Sequence, residues 1–246
     1  MKKLIEGASK LGIELNARQV KLFELYYQEL IEWNKRINLT AITDYSSVQV
    51  KHFLDSLTIT LALSQEEVER PDFNIIDIGT GAGFPGVPLK ILFPQPRLVL
   101  IEPTAKKTAF LTHIIRKLEL ENIEVLNSRA EEAAHLSMEA AHSLPYREQF
   151  ALVLSRAVAL LPTLVELTLP FCRIGGRFVA QKKGKFDREL NGAEKAISAL
   201  GGKLDRIKKI ELGEFDDVRY LLIIDKIFPT PSKYPRRPGM PRRRPI

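Results

Sequence analysis

The sequence predicts an α/β protein: a doubly wound, mostly parallel sheet closed by an antiparallel hairpin. Three observations carry that reading. From residue 74 onward, short apolar runs at 75–78, 98–101, 123–126, 152–154, 178–180 and 220–224 alternate with helical stretches. Such alternation is the mark of parallel strands joined by crossover helices. The last two extended segments, 203–212 and 218–227, are separated only by the polar turn 213–217 and must therefore pair antiparallel. Finally, between these and the strand at 177–180 lies a helical stretch, 186–200, ending at Gly201 and Gly202. Ahead of the sheet, from Asn16 to about Leu63, Leu22, Phe23, Leu25, Tyr26, Leu30, Ile31 and Trp33 recur at helical spacing, with Asn16 placed as a cap. Trp33 falls on the apolar face and is expected in the core. The chain divides into a helical extension over 1–63, a sheet domain over 64–227 and a Pro/Arg-rich tail over 228–246.

Composition narrows the class. With 246 residues, 45% hydrophobic and 27% charged, the chain can bury a core of ordinary size, which excludes a disordered polymer or a disulfide-stapled miniprotein. Its one cysteine, Cys172, cannot form an intramolecular disulfide, is expected to be a buried packing residue ahead of the fifth strand, and fits a reducing compartment. The start lacks a signal-peptide pattern and no apolar run approaches a membrane span, so a soluble cytoplasmic protein is expected, with no membrane partner. His52, His113, His135 and His142 show no metal-ligand spacing, so no metal is expected, and no G-x-S-x-G elbow is present. His113 reads as a helix-face residue. The net charge of +7 is localised: residues 1–225 hold 30 basic and 30 acidic residues, while 226–246 hold seven cations and no acid. Six prolines in the tail disfavour helix, so it reads as an extended basic arm for nucleic-acid phosphates, with a solvated end as the alternative.

The most informative stretch is Asn74-Ile-Ile-Asp77-Ile-Gly79-Thr-Gly81-Ala-Gly83-Phe84-Pro-Gly86, a strand, a glycine turn and a helix opening near Val87. A P-loop would need Lys and then Ser or Thr after Gly86, where Val87 and Pro88 stand, and a nicotinamide fingerprint would need glycine where Phe84 stands. The stretch instead fits D-x-G-x-G-x-G, the first motif of S-adenosylmethionine-dependent methyltransferases. An acid before the glycines suits a cationic sulfonium and an amino group and would repel a pyrophosphate. Glu102 ends the next strand, where a carboxylate can accept from ribose hydroxyls. One strand further, Ala130 and Glu131 stand where an adenine ring and its amino group would lie. With the closing hairpin, these features predict the seven-stranded, Rossmann-like methyltransferase sheet. The fourth strand ends Ser155-Arg156-Ala157, which is neither the tetrapeptide of exocyclic-amine methylation nor the cysteine of pyrimidine carbon methylation. The target atom is then one that is already nucleophilic.

Together these residues resemble the bacterial 16S rRNA guanine-N7 methyltransferase family, also called glucose-inhibited division protein B. The resemblance covers almost the whole chain. It rests on Trp33-Asn-Lys-Arg-Ile-Asn38-Leu-Thr40-Ala, His52-Phe-Leu-Asp55-Ser-Leu, the glycine motif with its Phe84-Pro-Gly-Val-Pro extension, Ser128-Arg-Ala-Glu131, Ser155-Arg156-Ala157 and Thr230-Pro-Ser-Lys-Tyr234-Pro-Arg-Arg. It implies S-adenosyl-L-methionine as cofactor, with contacts at Gly79, Phe84, Ala130, Glu131 and Arg156 beside those read from the motif at Asp77, Gly81, Gly83 and Glu102. It implies as substrate a guanine of the 530 loop in 16S rRNA, free or in the small ribosomal subunit; a monomer is expected. Guanine N7 has a free lone pair and no proton, so no general base is expected. Arg156 would serve the cofactor or the guanine O6 edge. One departure stands out: Glu102-Pro103-Thr104 replaces the usual Asp-Ser, removing an N–H at Pro103. Candidate RNA contacts are Lys182, Lys183 and Lys185 at the end of the fifth strand, and Lys233, Arg236, Arg237, Arg242, Arg243 and Arg244 in the tail; Lys35 and Arg36 beside Trp33 are a further basic pair. The N-terminal helices would cover the cofactor crevice or extend the RNA surface. The competing reading is a ribosome-associated RNA-binding protein with a vestigial cofactor fold.

Overall fold

The computed structural model describes residues 1–136, 146–156, 159–184 and 186–246. Seven strands form one sheet in the order β3-β2-β1-β4-β5-β7-β6. They are β1 (Asn74–Ile78), β2 (Arg97–Ile101), β3 (Ile123–Leu126), β4 (Phe150–Arg156), β5 (Cys172–Lys183), β6 (Gly202–Ile210) and β7 (Arg219–Lys226). β1 to β5 pair in parallel, and β7 lies antiparallel to both β5 and β6. The expected seven-stranded sheet and terminal hairpin are present. Side chains alternate between two buried layers, as a sheet covered on both faces requires. Ile75, Leu98, Leu100, Leu152 and Leu154 join one cluster, while Ile76, Ile78, Val99, Ile101 and Val153 join the other.

The N-terminal helices form part of the first cluster, through Leu4, Phe23, Tyr26, Leu30, Phe53 and Leu57. Helix Ala17–Asn34 opens on a reciprocal cap, Asn16 accepting from the Gln19 N–H and Gln19 from the Asn16 N–H. It stops where the Asn34 side chain accepts from the N–H groups of Leu39 and Thr40 and donates to the Thr40 carbonyl, turning the chain. The helical pattern to residue 63 is therefore broken at this turn and resumes over 45–62, with a π-helical stretch at Gln49–Leu54. Trp33, expected in the core, is half-buried at its rim against Phe110 and His113, and His113 pairs with Glu29 at 2.7 Å.

Two expectations are corrected. Cys172 does not precede the fifth strand but begins it, fully buried, with burial pushing its thiol up to about 12. The start was hidden because Gly175 and Gly176 interrupt the apolar run; Gly175 has φ +79°, and a Cβ on Gly176 would lie 2.8 Å from the Ala151 carbonyl oxygen. The tail is not an extended arm. Arg147 donates to the carbonyls of Thr230, Pro231 and Tyr234, and Glu148 accepts from the Thr230 N–H. Arg236 makes a forked pair with the fully buried Glu166, and Met240–Arg243 forms a helical turn with Pro241 at its start. Lys226, counted in the basic excess, is buried and pairs with Glu148 at 3.0 Å.

Candidate active site

The ends of the parallel strands bring the glycine turn, Glu102, Glu131 and Arg156 to one edge of the sheet. Gly79, Gly81 and Gly83 have φ of +69°, +63° and +99°, so all three take the left-handed conformation that favours glycine. Their surroundings differ. A Cβ on Gly81 would meet nothing within 4 Å, so this backbone faces open space. One on Gly83 would meet the Tyr26 hydroxyl at 2.6 Å and Val87 at 2.8 Å, so Gly83 lets the loop close on the helices beneath it.

Asp77 lies inside the loop, fully buried. Its Oδ2 accepts from the Thr80 hydroxyl at 2.7 Å and the Gly86 N–H at 2.9 Å, tying the two ends of the turn together. Its Oδ1 is buried without a partner among the described residues. Burial pushes its carboxyl up to about 6, against the pull of Thr80, Gly86 and Arg156. Tyr26 braces the same loop from outside, its hydroxyl donating to the Ala82 carbonyl at 2.5 Å.

Glu102 accepts from the Gly81 N–H at 3.1 Å and from the Thr104 N–H at 2.9 Å. The donor lost at Pro103 is thus replaced by the next residue. Asn127 donates to the Glu102 carbonyl and joins the ends of β2 and β3. Ala130 and Glu131, 7% and 8% exposed, open the short helix Ala130–Ala133, and Glu131 Oε1 accepts from the Gly239 N–H at 3.1 Å.

At the end of β4, Arg156 Nη1 donates to Asp55 at 2.8 Å and to the Lys51 carbonyl at 3.3 Å. Its Nη2 reaches His52 Nδ1 at 3.4 Å, and the guanidinium lies 5.1 Å from the centroid of the Phe84 ring. Nε–H and the second Nη2–H have no partner among the described residues, leaving one fork-shaped edge suited to a carboxylate or carbonyl. Because a guanidinium only donates, His52 Nδ1 accepts, which places the ring proton on Nε2, donating to Thr40 Oγ1 at 2.8 Å. Burial, aided by Arg156, lowers the His52 pKa to about 3, so the ring is neutral. The ring stacks on Phe84, centroids 4.5 Å apart. Asp55 also accepts from Arg219 Nε at 2.9 Å. Beside these groups opens a cavity of about 420 Å³, lined by Lys51, Asp55, Arg156, Gln181, Lys182 and Arg219 among others.

Sequence reasoning assigned no role to Tyr26, Gln181 or Arg219, and quoted His52 and Asp55 only as part of a resemblance. Their three-residue spacing in an apolar helical segment was the available signal of a shared polar face. Of the lysines at the end of β5, Lys182 is bound to Glu189 and to the Ala159 carbonyl, Lys183 is exposed, and Lys185 lies outside the described residues. Phe84, 5% exposed, packs its ring against Tyr26, His52 and Phe53, and its N–H donates to the Thr80 carbonyl at 3.0 Å. Open space beside Gly81, a carboxylate directly after β2, another on the helix that follows β3, and a free guanidinium edge fit a nucleoside bearing an amino-acid group. Among the described residues no cluster of His, Cys, Asp and Glu is arranged to hold a metal ion, and no helix is long and apolar enough to cross a membrane.

The raised pKa of Asp77 fixes the sign of one pH effect. A carboxyl whose folded pKa of about 6 exceeds its unfolded value contributes full stability below about pH 4 and loses it as pH rises through 6. The Asp77→Asn variant does not titrate here. Urea unfolding at pH 4 and pH 7.5 should therefore show wild type losing about 3 kcal/mol relative to the variant over that interval.

The chain is similar to known proteins over most or all of its length. The family model for rRNA small subunit methyltransferase G matches residues 19–216. Ribosomal RNA small subunit methyltransferase G of Dehalococcoides mccartyi is 48% identical over 246 residues, covering 100% of both chains. That of Lachnoclostridium phytofermentans is 44% identical, covering 98% of this chain and 96% of its own. The fold is also that of geranyl diphosphate C-methyltransferase from Streptomyces coelicolor, solved with S-adenosyl-L-homocysteine, at a TM-score of 0.52 and 14% identity, covering 82% of this chain and 98% of that one. With a matching family model over most of its length and full-length relatives of this identity, the chain belongs to the rRNA small subunit methyltransferase G family.

Proposed function

We propose that this protein methylates N7 of a guanine in the 530 loop of 16S rRNA, using S-adenosyl-L-methionine and no general base, as a monomer in the cytoplasm. When bound, the cofactor supplies an electrophilic sulfonium methyl, which the N7 lone pair takes while the carbon–sulfur pair returns to sulfur, so no proton moves. The protein's task is alignment, which can supply about 7–11 kcal/mol of a barrier. Gly79 and Gly81 present backbone to the cofactor, Glu102 faces the ribose hydroxyls, and Ala130 and Glu131 bound the adenine. Arg156 offers its free edge to the cofactor carboxylate or to guanine O6, and the adjoining cavity takes the base.

The observation that carries the base-free reading is His52. It is the imidazole nearest Arg156, yet its acceptor nitrogen is engaged by that arginine and its pKa is about 3. A ring so placed takes no proton from a substrate at neutral pH. For rRNA the exposed cations Lys183, Lys233, Arg237, Arg242, Arg243 and Arg244 are the phosphate contacts. Arg236 and Lys182 are held by Glu166 and Glu189 and act within the fold.

Labelled methyl transfer to deproteinised 16S rRNA and to 30S particles, followed by strand scission at N7-methylguanine, should mark one nucleotide. A vestigial binding protein would transfer none. In calorimetry Gly81→Asp should abolish cofactor binding, since it sets a side chain and a charge beside Glu102 at φ +63°. Exchanging Arg242, Arg243 and Arg244 for Gln should reduce the log–log salt slope of rRNA binding by about 2. An unchanged slope would remove the tail from the RNA surface.

A further inference from the structure

We infer that the C-terminal tail is a built part of the adenine side of the cofactor crevice, with Gly239 a positioning residue for Glu131. The inference rests on the reading that Glu131 faces the adenine. Glu131 is 8% exposed, and its only hydrogen bond to a described residue is the Gly239 N–H on Oε1. That bond fixes the carboxylate and leaves Oε2 to accept from an exocyclic amino group.

The turn that supplies the N–H is held on both sides. Upstream, Arg236 binds Glu166 through its backbone N–H, Nε and Nη2, and His135 contacts the Pro235 carbonyl at 2.8 Å. Downstream, the Thr163 hydroxyl donates to the Pro241 carbonyl, and Arg236 Nη2 donates to the Arg244 carbonyl. The tail therefore bridges helix Leu161–Thr168, which carries Thr163 and Glu166, and helix Ala130–Ala133, which carries Glu131. The tail residues 235–244 lie beyond the 19–216 span of the family match. Gly239 itself has φ +82°, and a Cβ there would meet nothing within 4 Å. Its glycine identity is a matter of backbone conformation alone. Exposed Arg237 and Arg242 flank this turn, so phosphates bound there act on the same segment that holds Glu131. Any coupling between rRNA and cofactor through this segment is reciprocal.

Calorimetry of S-adenosylhomocysteine with the full-length protein tests this, using Gly239→Ala, Gly239→Asn and Glu131→Gln. An L-residue at this φ strains the docked turn, so Gly239→Ala should weaken binding about ten-fold. Asparagine tolerates left-handed φ, so Gly239→Asn should recover most of that loss. A tail that only stabilised the fold would lower the unfolding temperature without this pattern of affinities. Wild-type affinity in Gly239→Ala, or equal weakening by Ala and Asn, overturns the inference while Glu131→Gln still weakens binding. Wild-type affinity in Glu131→Gln would instead overturn the placement of the adenine.

Discussion

The contacts of the Phe84 ring are the constraint on which the rest of the site depends. Phe84 follows the glycine turn directly, and its ring meets Tyr26 at 5.3 Å, His52 at 4.5 Å and the Arg156 guanidinium at 5.1 Å. One side chain thus joins the cofactor loop to both N-terminal helical segments and to the end of β4. Each aromatic pair contributes about 0.5–1.5 kcal/mol beyond area burial. The geometric consequence is larger than the energy. A reaction accelerated by alignment needs the turn and Arg156 fixed relative to each other, and Phe84 touches both. The N-terminal segment, an extension in sequence, is therefore a wall of the site.

Electrostatics around this cluster follow one logic. Asp55 accepts from Arg156 and Arg219 together, so one carboxylate orients two cations and leaves an edge of Arg156 free. His52 accepts from the same arginine without adding charge. Beneath the loop, Asp77 keeps a carboxylate buried with one oxygen unpaired, an arrangement that costs stability near neutral pH.

Much of this was legible in the sequence because periodicity and glycine chemistry are local. All seven strands were visible as apolar runs or paired segments, and Glu102 stands directly after the last residue of β2. What escaped was set by contacts distant in sequence. The start of β5 was hidden behind Gly175 and Gly176. The tail's prolines and arginines read as an arm because nothing local reveals that Glu166, 70 residues away, is fully buried and needs a partner. For the same reason the +7 excess overstated the free charge: Lys226 and Arg236 neutralise acids inside the fold. Tyr26 read as one more apolar helix residue, since its hydroxyl acquires a role only when Ala82 is folded against it.

A site that works by alignment alone moves no proton. The direct measurement is the single-turnover rate of methyl transfer to rRNA at saturating cofactor from pH 6.5 to pH 9. A rate constant independent of pH is expected, because guanine N7 is already unprotonated and His52 stays neutral throughout. A rate rising with unit slope in pH would reveal an ionising base and contradict it.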